Sequence, residues 1–334
     1  MAKLLYLLLP LAVGLSGTHS AAAQRPPIYQ PIGADDDDKY PIPLTEPLLI
    51  LLPVPMSEAS LNKEFKTPAD RASYLADVAA QRVALEVAAK SWRLSPVRFG
   101  TKTTYDSLKT DKRANHLVLC FNYHDIAPQS SSSYALLPAL KLDLIGRPAA
   151  TGPLKRAYDA RTLAYQLFNT STKVVLVGSF PPWHTVFHPS DLISTVQQLQ
   201  AFVTQRAQGQ KPREIIRAAA EKLGQSAALL QSKTLLLAQT QVDARIPESR
   251  VRKYYPSPVL FTDQAAVEAA VAAADPRYLY LRFITSNGSR GFQLLDAASG
   301  QVLGYSSYAG IRADSFGRAI ESDFTEMIKT ASKK

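Results

Sequence analysis

"SPVRF" at residues 95–99 and "SPVLF" at residues 257–261 are one phrase written twice, 162 residues apart, and this repetition decides the fold. With no gap, the same offset lays Leu117, Leu119 and Phe121 of "HLVLCF" on Leu279, Leu281 and Phe283 of "YLYLRF". Apolar side chains recur at every second position in both stretches, which is the period of a strand with one face on a core. A second correspondence follows at an offset of 127, where "AYQLFNTSTKVVLVGS" (164–179) lies on "GFQLLDAASGQVLGYS" (291–306). The change of offset predicts an insertion in the first copy near 122–160. Each copy then ends in a helical pattern, Leu192, Val196, Leu199 and Phe202 in one and Phe316, Ile320, Phe324 and Met327 in the other. Self-similarity of this kind predicts an internal duplication.

Working outward, each copy reads as a small α/β (α+β) unit: strand, helix, edge strand, central strand, hairpin and C-terminal helix. The two tandem diverged repeats are expected to be mixed sheets with helices on one face. In the first copy a strand at Leu48–Leu52 precedes a long helix. Thr67, Pro68 and Asp70 supply a hydroxyl cap, a proline at the first helical position and an acid in the first turn. Leu75, Val78, Arg82, Leu85, Ala89 and Trp92 form its stripe. The front of the second copy departs from this order. Its helix, over 211–231, comes before the strand "TLLLAQTQ" (234–241), and no long helix lies between that strand and Ser257. The predicted boundaries are a signal peptide over 1–23, a Pro-rich acidic linker over 24–46, a first repeat over 47–209 and a second over 210–334.

The signal peptide is read from Lys3, the apolar run Leu4–Leu15 and the small residues Ala21–Ala23. It predicts export to the periplasm or the exterior. No later stretch reaches membrane-spanning length, so no transmembrane segment is expected in the mature chain. Six prolines between residues 26 and 47 surround Asp35–Asp38, which favours extended, self-repelling chain. Hydrophobic residues make up 46% and charged residues 20% of the chain, as in ordinary globular protein. Cys120 is the single cysteine, so stability rests on packed cores rather than on an internal disulfide. The formal net charge of +10 permits attraction to an anionic surface, a glycan or a lipid headgroup, and does not choose among them.

Three sets of side chains could carry function. His124, Trp183, His184 and His188 lie in the first copy, and "PPWHTVFHP" spaces His184 and His188 four apart. On a helix that spacing would suit a metal, but the bracketing prolines oppose one, and histidines capping loops are the plainer reading. "RVRKYYPSP" places Arg250, Arg252 and Lys253 beside Tyr254 and Tyr255. Such a cluster could hold a polyanion, or serve as a charged strand edge that discourages pairing. Tyr278, Tyr280 and Arg282 form the second face of "YLYLRF", open either to recognition or to packing against a helix or the other copy. No P-loop, G-x-G-x-x-G or G-x-S-x-G occurs. No cofactor and no nucleic-acid partner are expected.

The strand "PRYLYLRF" after an Ala-rich helix, followed by "LLDAASGQVL", resembles the small α/β envelope domain of the Tol-translocation N-terminal part and of curli-secretion-type proteins. That resemblance implies an exported bacterial envelope module that assembles with a protein partner and has no catalytic centre. The reading is therefore a binding or assembly module. The alternative is a metal-dependent hydrolase using His124, His184 and His188.

Overall fold

The computed structural model describes residues 30–32, 44, 47–110, 116–126, 135–145, 164–168, 188–210, 212–255, 257–286, 289–309 and 318–332. The predicted signal peptide and nearly all of the predicted linker lie outside the described residues, as do Trp183 and His184. The first part of the chain runs β1 (Gln30–Ile32), β2 (Leu48–Leu51), α1 (Glu58–Glu64), α2 (Pro68–Ala89), β3 (Val97–Gly100), α3 (Lys102–Thr110), β4 (His116–Ile126), β5 (Ala135–Ile145), β6 (Ala164–Phe168) and α4 (Pro189–Ala207). The second runs α5 (Pro212–Gly224), α6 (Ala227–Ser232), β7 (Thr234–Ala238), α7 (Glu248–Tyr254), β8 (Val259–Thr262), α8 (Gln264–Ala272), β9 (Tyr278–Ser286), β10 (Ser289–Asp296), β11 (Val302–Ala309) and α9 (Glu321–Ala331). This is an α/β protein with two mixed sheets.

The sheets are ordered β1-β6-β5-β4-β2-β3 and β11-β10-β9-β7-β8. In the first, β2 runs parallel to both neighbours, with Leu48 opposite Val97 and Leu117. In the second, β7 does the same, with Leu235 opposite Val259 and Leu279. The duplicated phrase is thus the edge strand of each sheet, β3 and β8. Its proline has a physical reason: Pro96 and Pro258 open those strands, and their carbonyls accept from Leu48 N and Leu235 N, both at 2.8 Å. A residue that must accept but need not donate sits well at the start of an edge strand.

Strand places also correct the second correspondence. β5 pairs with β4 along its whole length and β6 follows it, so β5 stands where β10 stands and β6 where β11 stands. The offset of 127 put Gln166 of β6 on Gln293 of β10, one strand too early. The segment read as an insertion holds the end of β4 and all of β5. Alternating apolar residues mark any strand of a one-faced meander, so local similarity does not say which strand is meant. The helix expected over 211–231 is likewise two helices, α5 and α6.

α2 starts as its cap predicts: Thr67 Oγ1 accepts from Asp70 N at 3.1 Å. Its buried face is Val78, Gln81, Ala84, Leu85, Ala88 and Ala89, while Leu75 is 41% exposed and falls off the stripe. That face covers Leu48, Ile50, Leu117 and Leu119. The reverse face, Leu49 and Val118, is covered by Tyr105 and Leu108 of α3. In the second sheet Leu235, Leu237, Leu279 and Leu281 pack beneath α7 and α9, through Val251, Phe324 and Met327. Its reverse face, Leu236 and Tyr280, lies beneath α8 and also beneath α4, so one core joins both sheets. Among the described residues no helix is long and apolar enough to cross a membrane.

Phe202 of α4 is fully buried in that shared core. Phe202→Ala is expected to cost about 3–5 kcal/mol by urea denaturation. It should lower the stability of both sheets together, as followed by tryptophan fluorescence and far-UV circular dichroism.

Candidate functional site

α4 carries only two charged residues, Asp191 and Arg206, over its whole length. One stripe is apolar: Leu192, Val196, Leu199 and Phe202. The stripe flanking it consists of Asp191, Ser194, Thr195 and Gln198, and it is buried too. A helix with polar residues buried on one side needs partners there. The second sheet supplies them.

Arg282 of β9 is the centre of this seam. It is 1% exposed and ranks with the largest fully buried side chains. Its Nη1 donates to Ser194 Oγ and Thr195 Oγ1, each at 3.0 Å, and reaches the Asp191 carbonyl at 3.4 Å. Its Nε donates to Gln293 Oε1 at 3.1 Å, and Nη2 donates to that oxygen and to Gln198 Oε1. The two hydroxyls in turn donate hydrogen bonds to the Asp191 carbonyl, at 2.9 and 2.8 Å. Each hydroxyl therefore accepts from the guanidinium and donates to the helix backbone, so the network closes on itself. A buried guanidinium without such partners would cost several kcal/mol.

The rest of the seam repeats this pattern. Tyr280 donates to Ser190 O at 3.3 Å, and its burial raises the hydroxyl pKa. The turn between β10 and β11 closes by Gly300 N donating to Asp296 O at 2.8 Å, with Ser299 Oγ donating to Asp296 Oδ2 at 2.7 Å. Gly300 holds φ +67°, the left-handed region that favours glycine, and a Cβ there would sit 2.6 Å from Gln197 Oε1. The side chains of Gln197 and Gln198 donate to Ala298 O and Gly300 O, at 3.3 and 2.8 Å. The Asp/Ser/Gly turn of "LLDAASGQVL" is thus a docking surface for α4. Beside it lies a cavity of about 220 Å³ between α4, α5 and this turn, lined by Ile215, Ala219, Lys222 and Val302 among others.

His188 caps the start of α4 and reaches across the seam to α8, Nδ1 to Glu268 Oε1 at 3.1 Å. Burial pulls its pKa down, but the Glu268 contact and the charges of Asp191 and Glu268 outweigh this and leave it raised above 6.5. A base whose pKa is raised in the fold adds stability below its unfolded value and loses it as pH rises through the folded one.

The other candidates are dispersed. His124 lies in β4 opposite Leu137, its side chain outside the described residues. Among the described residues no three His, Cys, Asp or Glu side chains converge to hold a metal ion. "RVRKYY", read as a basic strand edge or polyanion site, is the helix α7. Arg250 pairs with Glu321 at 2.6 Å, and Arg252 donates to Val259 O at 2.9 Å while lying 5.6 Å from the Phe261 ring. Lys253 stands over the Tyr254 ring at 5.9 Å, and Tyr255 is buried, which raises its hydroxyl pKa. Tyr278 is half-buried under the Arg277 guanidinium, 5.0 Å from its ring. Tyr280 and Arg282, open in the sequence to recognition or to packing, lie under α4 and present no free face. The residues that sequence reading passed over are Asp191, Ser194, Thr195 and Gln198. Their signal was the near absence of charge along α4.

No protein-family model, no curated protein and no solved structure matches this chain. The fold and the seam define it as a two-sheet α/β protein whose buried polar chemistry joins its two halves.

Arg282→Met strands the acceptors of Ser194, Thr195, Gln198 and Gln293, and is expected to cost roughly 2–4 kcal/mol in denaturant unfolding. Stability of the natural chain should fall as pH rises from about 6.5 through the raised His188 value. Glu268→Gln should flatten that slope, which a urea series between pH 5.5 and 8.5 reads directly.

Proposed function

We propose that the chain is an exported bacterial envelope protein acting as a binding or assembly module, built from two diverged copies of one α/β unit. The observation that carries this reading is the seam. α4 ends the first unit yet spends its polar stripe on Arg282, Gln293 and the Gly300 turn of the second. Chemistry of that kind fixes one element against another, and the sheet edges beyond it are then presented at a fixed separation. The common strand order and the matched pairs at Leu48 and Leu235 support the duplication. The apolar leader and its small-residue end support export. The positive charge favours partners that are acidic.

Two measurements test the reading. Expressed with its own leader, the chain should be recovered outside the cytoplasm with Gln24 as its N-terminus; retention with Met1 intact overturns export. Titrated with Zn²⁺ and then Mn²⁺ in a calorimeter, the exported chain should show no tight site, and it should bind members of an array of extended peptides without cleaving them. A tight metal site lost in the His184→Ala/His188→Ala double variant would replace the module with a metal-dependent hydrolase.

A further inference from the structure

The register of each sheet says which backbone groups its edges leave over. In β3, Pro96 O accepts from Leu48 N, and Gly100 O accepts from Leu52 N at 2.9 Å. With Ile50 opposite Phe99, the groups of Arg98 and Gly100 face β2 and those of Val97 and Phe99 face away. The same alternation in β8 turns Val259 and Phe261 outward. Unpaired edge groups invite another strand, and proteins usually cover them.

The second sheet covers part of each of its edges, although Leu260 of β8 is 49% exposed. At β8, Arg252 occupies the outward carbonyl of Val259 and lies over Phe261. At β11, Thr330 of α9 donates to Tyr305 O at 2.9 Å and accepts from Tyr305 N at 3.0 Å. At β3, by contrast, the outward groups of Val97 and Phe99 have no partner among the described residues. Phe99, the counterpart of the covered Phe261, is 48% exposed. The first unit has α2 in the place of α7, and no arginine from it reaches β3.

We propose that β3 is a strand-addition site, which takes an extended acidic segment of a partner protein. This deepens the module reading and rests on it. Four outward backbone groups recognise an extended chain whatever its sequence, and side chains supply the preference. Successive residues of β3 face opposite sides, so an added strand meets exposed Phe99 on one face and exposed Arg98 on the other. Cross-strand pairing then favours an apolar residue against Phe99 and a carboxylate against Arg98. The net charge of +10 steers the same partners. A second copy of this chain fits less well. Antiparallel self-pairing that uses all four groups sets Val97 against Phe99 and Arg98 against Arg98, and like charges directly opposed repel.

The test is fluorescence anisotropy with the full exported chain and two labelled, capped peptides, one alternating valine with glutamate and one alternating valine with lysine. The natural chain should prefer the glutamate peptide. Phe99→Pro removes one outward donor and leaves the bonds to β2, so it should weaken binding about tenfold or more. Phe261→Pro, the same change at the matched position of β8, should leave binding unchanged. Arg98→Glu should reverse the preference toward the lysine peptide, which a merely unfolded variant would not do. Unchanged binding by folded Phe99→Pro protein, an unreversed preference, or a dimer of the natural chain that Phe99→Pro dissolves would each overturn the site. Binding that survives Phe99→Pro sinks only the edge. Failure of every extended peptide, together with a tight metal site, sinks the module reading itself.

Discussion

A guanidinium taken out of water must be given back its hydrogen bonds, and in this protein Arg282 receives them from both halves of the chain. Gln293 answers from the neighbouring strand, Ser194, Thr195 and Gln198 from a helix that belongs to the other unit. Removing α4 from that face would leave the charge buried without most of its partners or open it to water, so the helix is held by polar need as well as by apolar contact. The apolar stripe of the same helix closes the core above the first sheet. One helix therefore serves two sheets, and the position of each unit follows from it.

The two sheets share a strand order and differ in how they are finished. Two helices, α1 and the 22-residue α2, lie between β2 and β3, where a single α-helix of seven residues lies between β7 and β8. The short helix brings Arg252 to its edge strand and the long one brings no equivalent. Likewise α9 approaches β11 so closely that a Cβ on Gly304 would lie 2.6 Å from Met327 O, and Thr330 closes that edge. The second sheet is thus partly covered at both edges, with its reverse face beneath α4, while the outward groups of β3 have no partner among the described residues. That asymmetry distinguishes the described surfaces of the two sheets.

Much of this was legible in the residues. The repeated phrase located both edge strands, and the alternation of "HLVLCF" and "YLYLRF" assigned their inward faces, as Leu117, Leu119, Leu279 and Leu281 confirm by being buried. The Thr67 cap placed the start of α2, and "LLDAASGQVL" gave a hairpin. The hairpin alignment at an offset of 127 went astray by one strand, because every strand of the meander carries the same period. "RVRKYY" was read as extended because its basic and aromatic residues do not show a helical stripe; only Val251 and Tyr255 of that stretch are buried, and two residues four apart are too few to declare a period.

Sequence alone determined the local geometry here: where strands begin, which side chains share a face and where helices are capped. Those properties depend on neighbours within a few residues, and so they are written in short phrases. Tertiary structure decided the roles of the polar residues. Arg282 and Arg252 are both cations beside aromatic residues, yet one is sealed beneath a helix and the other lies half-exposed along the edge strand β8. The difference comes from residues some 90 positions away in the first case and from a seven-residue spacing in the second. Whether a charged side chain faces water or a partner is settled only when distant segments pack, because the cost of burying it depends on what arrives to pair with it.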